Sequence, residues 1–431
     1  MDAIGFIAAG IFVLGYALIT MEQKFGTHKS AIALTVGGVL WVLAAVSLRG
    51  NEEALDHAIA HTGSEIFSIV AFLLAAMALI EILVHFRLFD LMRYKLIRMK
   101  VNDQQQFLII LTVTFFFSAI LDNIAITIAM LQIARRFFEG HNMFIAAAGI
   151  VVAANAGGAW SPIGDITTIL LWLGDKFTAM EVIRYAFLPS LALFVVVTAL
   201  LYRKLDRDSF IKREQGDMEP LSRSEKLVIA TALGSFTLPL LMSFVGLPPY
   251  IGLLFGLGIT WGVIELVRHR MLRLHTEQQT HMSANIEKLV QTVDISSVKY
   301  LMGILLAVGA LASIGVLYWL SQVVVGDSAS VAQLIGINMG IGVVSGVVDN
   351  ASLVAIAMNT LPMTDPELWS LTAVAAGNGG SLMVIASAAG VVAMGNYKQL
   401  TVGKYLKVAT LPVLLGLAVS FAVWLVQFKF F

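Results

Sequence analysis

The chain contains no cysteine, which excludes disulfides, thiolate metal sites and thiol nucleophiles. Charge is scarce as well. Only 13% of the 431 residues are charged, 58% are hydrophobic, and the mean hydropathy is +0.85. Soluble domains carry about 25% charged and 45–50% apolar residues, so an ordinary soluble fold is excluded. The formal net charge is zero, which gives no reason to expect a nucleic acid partner. The motifs HExxH and GxSxG are missing, and an enzyme is not expected. The opening stretch MDAIGFIAAGIFVLGYALIT lacks a basic n-region and a cleavage site. It reads as a retained span, not a signal peptide.

What is present is a series of apolar runs long enough to cross ~30 Å of hydrocarbon as helices. They fall at residues 3–20, 30–48, 64–84, 143–173, 185–202, 227–245, 248–267, 300–320, 369–394 and 408–427. The expected fold class is an all-α polytopic membrane protein, a single transporter over residues 1–431. Two further apolar segments, 106–134 and 331–360, suit a pair of half-length helices with a turn between. The connectors HFRLFDLMRYKLIRMK and RKLDRDSFIKREQGDMEPLSRSEK are basic, and basic loops stay in the cytoplasm. A single crossing by 106–134 would push one of these clusters outside, whereas a hairpin that dips in and returns keeps both inside. The same holds for 331–360 between Lys299 and Lys398. With a periplasmic N-terminus, only Arg49, Lys176, Arg184 and Lys429 of the 28 Lys and Arg then lie outside. The first hairpin enters from the cytoplasm and the second from the periplasm. Each is followed by a segment with a glycine-rich interruption. The expectation is an inverted repeat, 64–202 and 300–427, with two re-entrant hairpins and two broken transmembrane helices.

The hairpins carry the chemistry. FFFSAILDNIAITIAM holds Ser118, Asp122 and Asn123; VVSGVVDNASLVAIAM holds Ser345, Asp349 and Asn350. Charged groups at membrane depth survive where they line a cavity or pack inside protein. Each Ser lies four residues before its Asp, which predicts one helical face for the pair. The interruptions are AANAGGAWSPIGDITT and AAGNGGSLMVIASAAG. Gly157–Gly158, Gly379–Gly380 and Pro162 let the helices unwind and free carbonyl oxygens. Asn155, Asp165, Thr167 and Thr168 add oxygens to one site, Asn378 and Ser381 to the other. Asp165 is unmatched, because Ser387 takes its place in the second repeat; it serves as ligand or orienter. Carboxylate, amide, hydroxyl and carbonyl oxygens without sulfur suit a hard cation such as Na⁺ or Li⁺ and repel an anion. A buried carboxylate is costly to leave ionised without a cation, so it takes either a proton or the metal ion. Asp122, Asp165 and Asp349 are the expected proton-coupling groups, and no cofactor is needed.

Outside these stretches, Glu65 lies one turn beyond His61 and near His57. It faces an outer access path, with a pH-sensing role for the three, or it is an exposed helix cap. Glu81 reads as interfacial, and 85–100 as an amphipathic helix on the cytoplasmic surface. His269, His275 and His281 sit in a connector read as solvated.

At SAILDNIAI, NAGGAWSPIGDITT, SGVVDNASLVAIAM and GNGGSLMVIASAAG the sequence resembles the NhaD-type sodium/proton antiporters of the ion transporter superfamily. The resemblance implies a bacterial inner-membrane protein exchanging internal Na⁺ or Li⁺ for external H⁺. It also implies a scaffold domain, a mobile transport domain moving elevator-fashion, and a homodimer in the lipid bilayer. Asp122, Asn123, Asn155, Asp165, Thr167, Thr168, Ser345, Asp349 and Asn350 match positions that carry ion binding and proton coupling in that family. Asn378 and Ser381 match less closely, since Asn378 stands one place off the position of Asn155. Sodium-coupled dicarboxylate carriers and oxyanion permeases of the superfamily are the rivals. The carboxylate carriers have a neutral Ser-Asn-Thr at each tip, where this chain has Asp-Asn.

Overall fold

A computed structural model describes residues 1–20, 26–99, 101–206, 221–273, 294–326 and 329–430. The described residues form helices joined by turns, without strands. Among them, eight helical stretches are long and apolar enough to cross a membrane, so the protein is multi-pass. The chain opens with α1 (Ala3–Thr20), α2 (Lys29–Ser47), α3 (Glu52–His85) and the short α4 (Leu88–Arg98). A first group follows: α5 (Asp103–Ser118), α6 (Asn123–Ala134), α7 (Gly140–Gly158), α8 (Ile166–Leu173) and α9 (Ala179–Tyr202). Then come α10 (Arg223–Ser235), α11 (Leu238–Phe244), α12 (Pro249–Arg273), α13 (Ile295–Ser313) and α14 (Val316–Val324). The last group is α15 (Val331–Val344), α16 (Asn350–Thr360), α17 (Pro366–Gly379), α18 (Ala388–Asn396), α19 (Val402–Tyr405), a π turn (Leu406–Thr410) and α20 (Leu411–Phe430).

Several boundaries differ from the apolar runs for local reasons. Helix α3 starts twelve residues before the run at 64–84, because Asn51 caps it by accepting from the Ala54 N–H at 3.2 Å. Glu52 and Glu53 in its first turn complement the helix dipole. Glu65 therefore lies inside a helix and is no cap. The run at 227–245 is split before α11, where Pro239 sits at the helix start. The run at 300–320 breaks at Gly315, whose φ of 85° places it in the left-handed region. The surface helix expected at 85–100 forms as α4 and buries Leu88, Met92 and Leu96 at a spacing of four.

The centre is built from α7 and α17. Every residue from Asn142 to Gly158 and from Leu368 to Gly379 is buried. A helix enclosed on all sides must be apolar all round and small where neighbours cross, which explains the runs IAAAGIVVAANAGG and LTAVAAGNG. A Cβ on Gly157 would land on the Phe115 carbonyl, and one on Gly379 on the Gly342 carbonyl. Only glycine lets α7 approach α5, and α17 approach α15, this closely. Helices α6 and α18 pack together, as do α8 and α16, so the two groups interlock. Helices α1, α2 and α13 form a separate layer against them.

Polar contacts link the helix ends. Near the end of α9, Tyr202 donates to Gln104 Oε1 at the start of α5, at 2.9 Å. Asn142 and Asp206 exchange two 2.8 Å bonds, and Arg135, just past α6, donates to the Asn396 carbonyl at the end of α18. Elsewhere, Trp369 at the start of α17 donates to the Met363 carbonyl just after α16, at 3.0 Å. The Lys176 ammonium lies 5.1 Å over the Trp369 ring.

Candidate cation site

Four short helices, α6, α8, α16 and α18, begin beside one another. Their first residues line one small cavity of about 40 Å³, room for about three waters. The residues just before the four helices are Asp122, Asp165, Asp349 and Ser387, and all but Asp165 cap their helix by a side-chain hydrogen bond. A helix N-terminus carries unsatisfied N–H groups and about half a positive charge. An acid at that position is stabilised in apolar surroundings, which accounts for Asp within runs of Ile, Val and Ala. Four such termini would attract an anion; three aspartates among them turn the cavity toward a cation instead.

The tips correct one expectation. Ser118 and Asp122 do not share a helical face, because Ser118 ends α5 and the chain turns before Asp122. Ser345 and Asp349 are separated in the same way. Each serine instead ties its hairpin to a broken helix. Ser118 Oγ donates to the Ala154 carbonyl, and Ser345 Oγ to the Ala376 carbonyl, both at 2.7 Å. With that proton spent, the Asn123 atom 2.6 Å from Ser118 Oγ is a donor nitrogen. The same nitrogen reaches the Ala154 carbonyl at 3.0 Å and the Gly164 carbonyl at 3.1 Å. This leaves the Asn123 oxygen outside that cluster. Asn350, which also lines the cavity, accepts from the Ala351 N–H at 3.0 Å.

The carboxylates are held differently. Asp122 accepts from the Ile124 N–H at 3.2 Å. Asp349 Oδ2 accepts from both the N–H and the hydroxyl of Ser352, at 3.0 and 2.9 Å. Asp165 makes no capping bond, and its buried Oδ2 has no hydrogen-bond partner among the described residues. Thr168 bonds the Asp165 carbonyl at 2.8 Å, and Thr167 is fully buried beside it. Asn155 donates to Ser381 Oγ at 3.0 Å and to Ser387 Oγ at 2.9 Å, while its oxygen finds no donor. Asn378 is fully buried, and neither amide atom is bonded among the described residues. Buried oxygens without donors are where a cation or a water finds ligands. Among the described residues no three Asp, Glu or His side chains come close enough to hold one metal ion. The three aspartates thus line the cavity without forming a cage, and neutral oxygens must complete any shell.

Glu65, His61 and His57 are not part of this cavity. His61 Nδ1 stands 3.9 Å from Glu65 Oε1, and the His57 and His61 rings stack at 6.4 Å. Glu65 and His61 line a separate cavity of about 450 Å³, with Trp172, Phe177 and Tyr250. His275 and His281 lie outside the described residues. Sequence reasoning missed Tyr16, Lys29, Tyr300 and Ser352 near Asp349. Only Ser352 left a local signal, three residues after a helix-capping Asp.

Residues 16–375 match the family model described as a citrate transporter. The chain is 34% identical to sodium/proton antiporter 1 of Arabidopsis thaliana, over 90% of this chain and 66% of that protein. It is 32% identical to sodium/proton antiporter 2 of the same plant, over 90% and 91% of the two chains. Identity to the Na(+)/H(+) antiporter NhaD of Alkalimonas amylolytica is 29%, over 91% of this chain and 84% of that one. The chain belongs to the family that the citrate-transporter model describes and, within it, to the NhaD-type sodium/proton antiporters.

Proposed function

We propose that this protein is a secondary active transporter that exchanges cytoplasmic Na⁺ or Li⁺ for external H⁺. The single cavity where three aspartates stand at the starts of converging half-helices carries the reading. Asp122, Asp165 and Asp349 each hold a proton or share the cation, and the exchange follows when the loaded site faces the other side. Asn123, Asn155, Asn350, Asn378 and Ser381 supply neutral oxygens. Ser118, Ser345, Thr167 and Thr168 hold the frame or add ligands. The hard-oxygen set extends the reading to Li⁺.

The two hairpins are re-entrant and the groups 64–202 and 300–427 form an inverted repeat. Contacts of both ends of the first hairpin with one set of helix ends support this, as does the matched Ser-to-carbonyl bond in each half. The basic connectors put the first hairpin's mouth in the cytoplasm of a bacterial cell, with the N-terminus periplasmic. The site continues into a cavity of about 190 Å³ beside Thr20 and Lys29, at the end of α1 and the start of α2. This conformation is then open to the cytoplasm. A homodimer and an elevator motion follow from the resemblance. Glu65 with His61 and His57 stands at the outer vestibule as the pH-responsive element.

A sodium-coupled carboxylate carrier is the second reading, favoured by the description of the matching family model. Everted vesicles holding a proton gradient separate the two. Na⁺ or Li⁺ should collapse the gradient while K⁺ does not. Sodium uptake that depends on a dicarboxylate, with no effect of Na⁺ alone, would instead establish the carrier.

A further inference from the structure

A polar cluster lies where the second tip meets the layer of α1, α2 and α13. Two tyrosines reach it from different helices. Tyr16 on α1 accepts a hydrogen bond from the Asp349 backbone N–H at 2.9 Å. Tyr300 on α13 donates to Asp349 Oδ2 at 3.5 Å and lies 3.1 Å from Ser352 Oγ. The Lys29 ammonium, on α2, sits 4.8 Å from the centre of the Tyr300 ring. Phenylalanine would pack equally well at either position, so the hydroxyls point to a specific task. The first tip has no such tie. Among the described residues no hydrogen bond links Asp122 or Asn123 to α1, α2 or α13.

We propose that Tyr16 and Tyr300 form a clasp that holds the second tip against this layer while the site lacks its cation. Binding of an alkali cation at Asp349 opens the clasp. Asp349 Oδ2 faces three donors: the Ser352 N–H, the Ser352 hydroxyl and the Tyr300 hydroxyl. Ser352 belongs to the same helix as Asp349 and moves with it. Tyr300 does not. A cation on Oδ2 repels the Tyr300 hydroxyl proton, so this bond is the one exchanged for the ion. The Tyr16 bond to backbone and the 3.1 Å contact of Tyr300 with Ser352 Oγ are then the remaining ties between tip and layer. The 190 Å³ cavity borders Tyr16, Tyr300 and Asp349 together, giving the arriving ion access and the tip room to leave. Tyr16 and Tyr300 are positioning residues, and their assignment rests on the reading of Asp349 as an ion ligand.

The test uses Tyr300→Phe and Tyr16→Phe in everted vesicles, compared with wild type at one fixed alkaline pH. Removing the Tyr300 hydroxyl should lower the half-saturating Na⁺ concentration about 2- to 10-fold, the worth of one ordinary hydrogen bond. Damaged packing would lower the maximal rate and leave that concentration in place. The absence of native cysteine allows a second readout. A single cysteine at Val347 or Ile385, on the wall of the larger cavity, is labelled with a membrane-impermeant maleimide while Na⁺ is titrated. The Na⁺ midpoint should fall in Tyr300→Phe, and labelling without Na⁺ should rise in Tyr16→Phe. Unchanged midpoints and unchanged basal labelling would overturn the clasp. Asp349→Asn separates the two ideas. A response to Na⁺ that survives in that variant would overturn Asp349 as a ligand. A response lost there, with both tyrosine variants behaving as wild type, would overturn the clasp alone.

Discussion

In the first half of the chain Ser118 bonds the Ala154 carbonyl and Gly157 presses on Phe115; in the second, Ser345 bonds the Ala376 carbonyl and Gly379 presses on Gly342. The frame is built twice from the same contacts. Its contents differ. Asn155 on α7 faces Ser387 at the start of α18, at 2.9 Å. The mirrored position on α17 is Gly377, where a Cβ would stand 3.4 Å from Asp165 Oδ2. One half pairs a large residue with a small one, and the other reverses the order, so volume is conserved while charge is not. Packing is repeated where α5 meets α7 and where α15 meets α17.

The sharpest way to break this comparison is at the acids. Asp122→Asn and Asp349→Asn should each reduce exchange in everted vesicles to background while the protein still elutes as a folded species in detergent. Asp165→Asn should do the same, whereas Ser387→Ala, its mirror, should keep most of the rate. Equal losses at Asp165 and Ser387 would erase the proposed asymmetry. Next in size are the glycines. Gly157→Ala and Gly379→Ala should each cost about 1–3 kcal/mol through overpacking against a carbonyl. The shift in thermal midpoint should be similar for the two, since the contact is the same. Ser118→Ala and Ser345→Ala should again match each other, at about 1 kcal/mol each. Glu65→Gln should have the smallest effect. Its ion pair with His61 is partly exposed and worth about 1 kcal/mol or less, so the maximal rate should stay within about fivefold.

Much of this arrangement was legible in the sequence. The Asp-Asn tips stood out because a charge amid Ile and Val has few structural excuses, and the paired glycines marked where α7 and α17 end. Counting from those glycines also paired Ser387 with Asp165, and each stands immediately before a short helix. The shared face of Ser118 and Asp122 was misread because a spacing of four implies contact only within one helix. The chain turns between them. Tyr16 and Tyr300 were invisible for another reason. A tyrosine near the end of an apolar run looks like any interfacial aromatic. Only the fold, which brings Tyr16 and Tyr300 to Asp349 from 333 and 49 residues away in sequence, gives their hydroxyls a partner.

The proposed exchange requires an alkali cation to displace protons from Asp122, Asp165 and Asp349, at the starts of α6, α8 and α16. Purified protein in weakly buffered detergent, at a pH low enough that the acids still hold protons, titrated with NaCl beside a pH indicator, measures that displacement directly. Na⁺ should release protons saturably, K⁺ should release none, and Asp122→Asn and Asp349→Asn should each abolish the release. Sodium binding with no proton release, or a release unaltered in both variants, would contradict it.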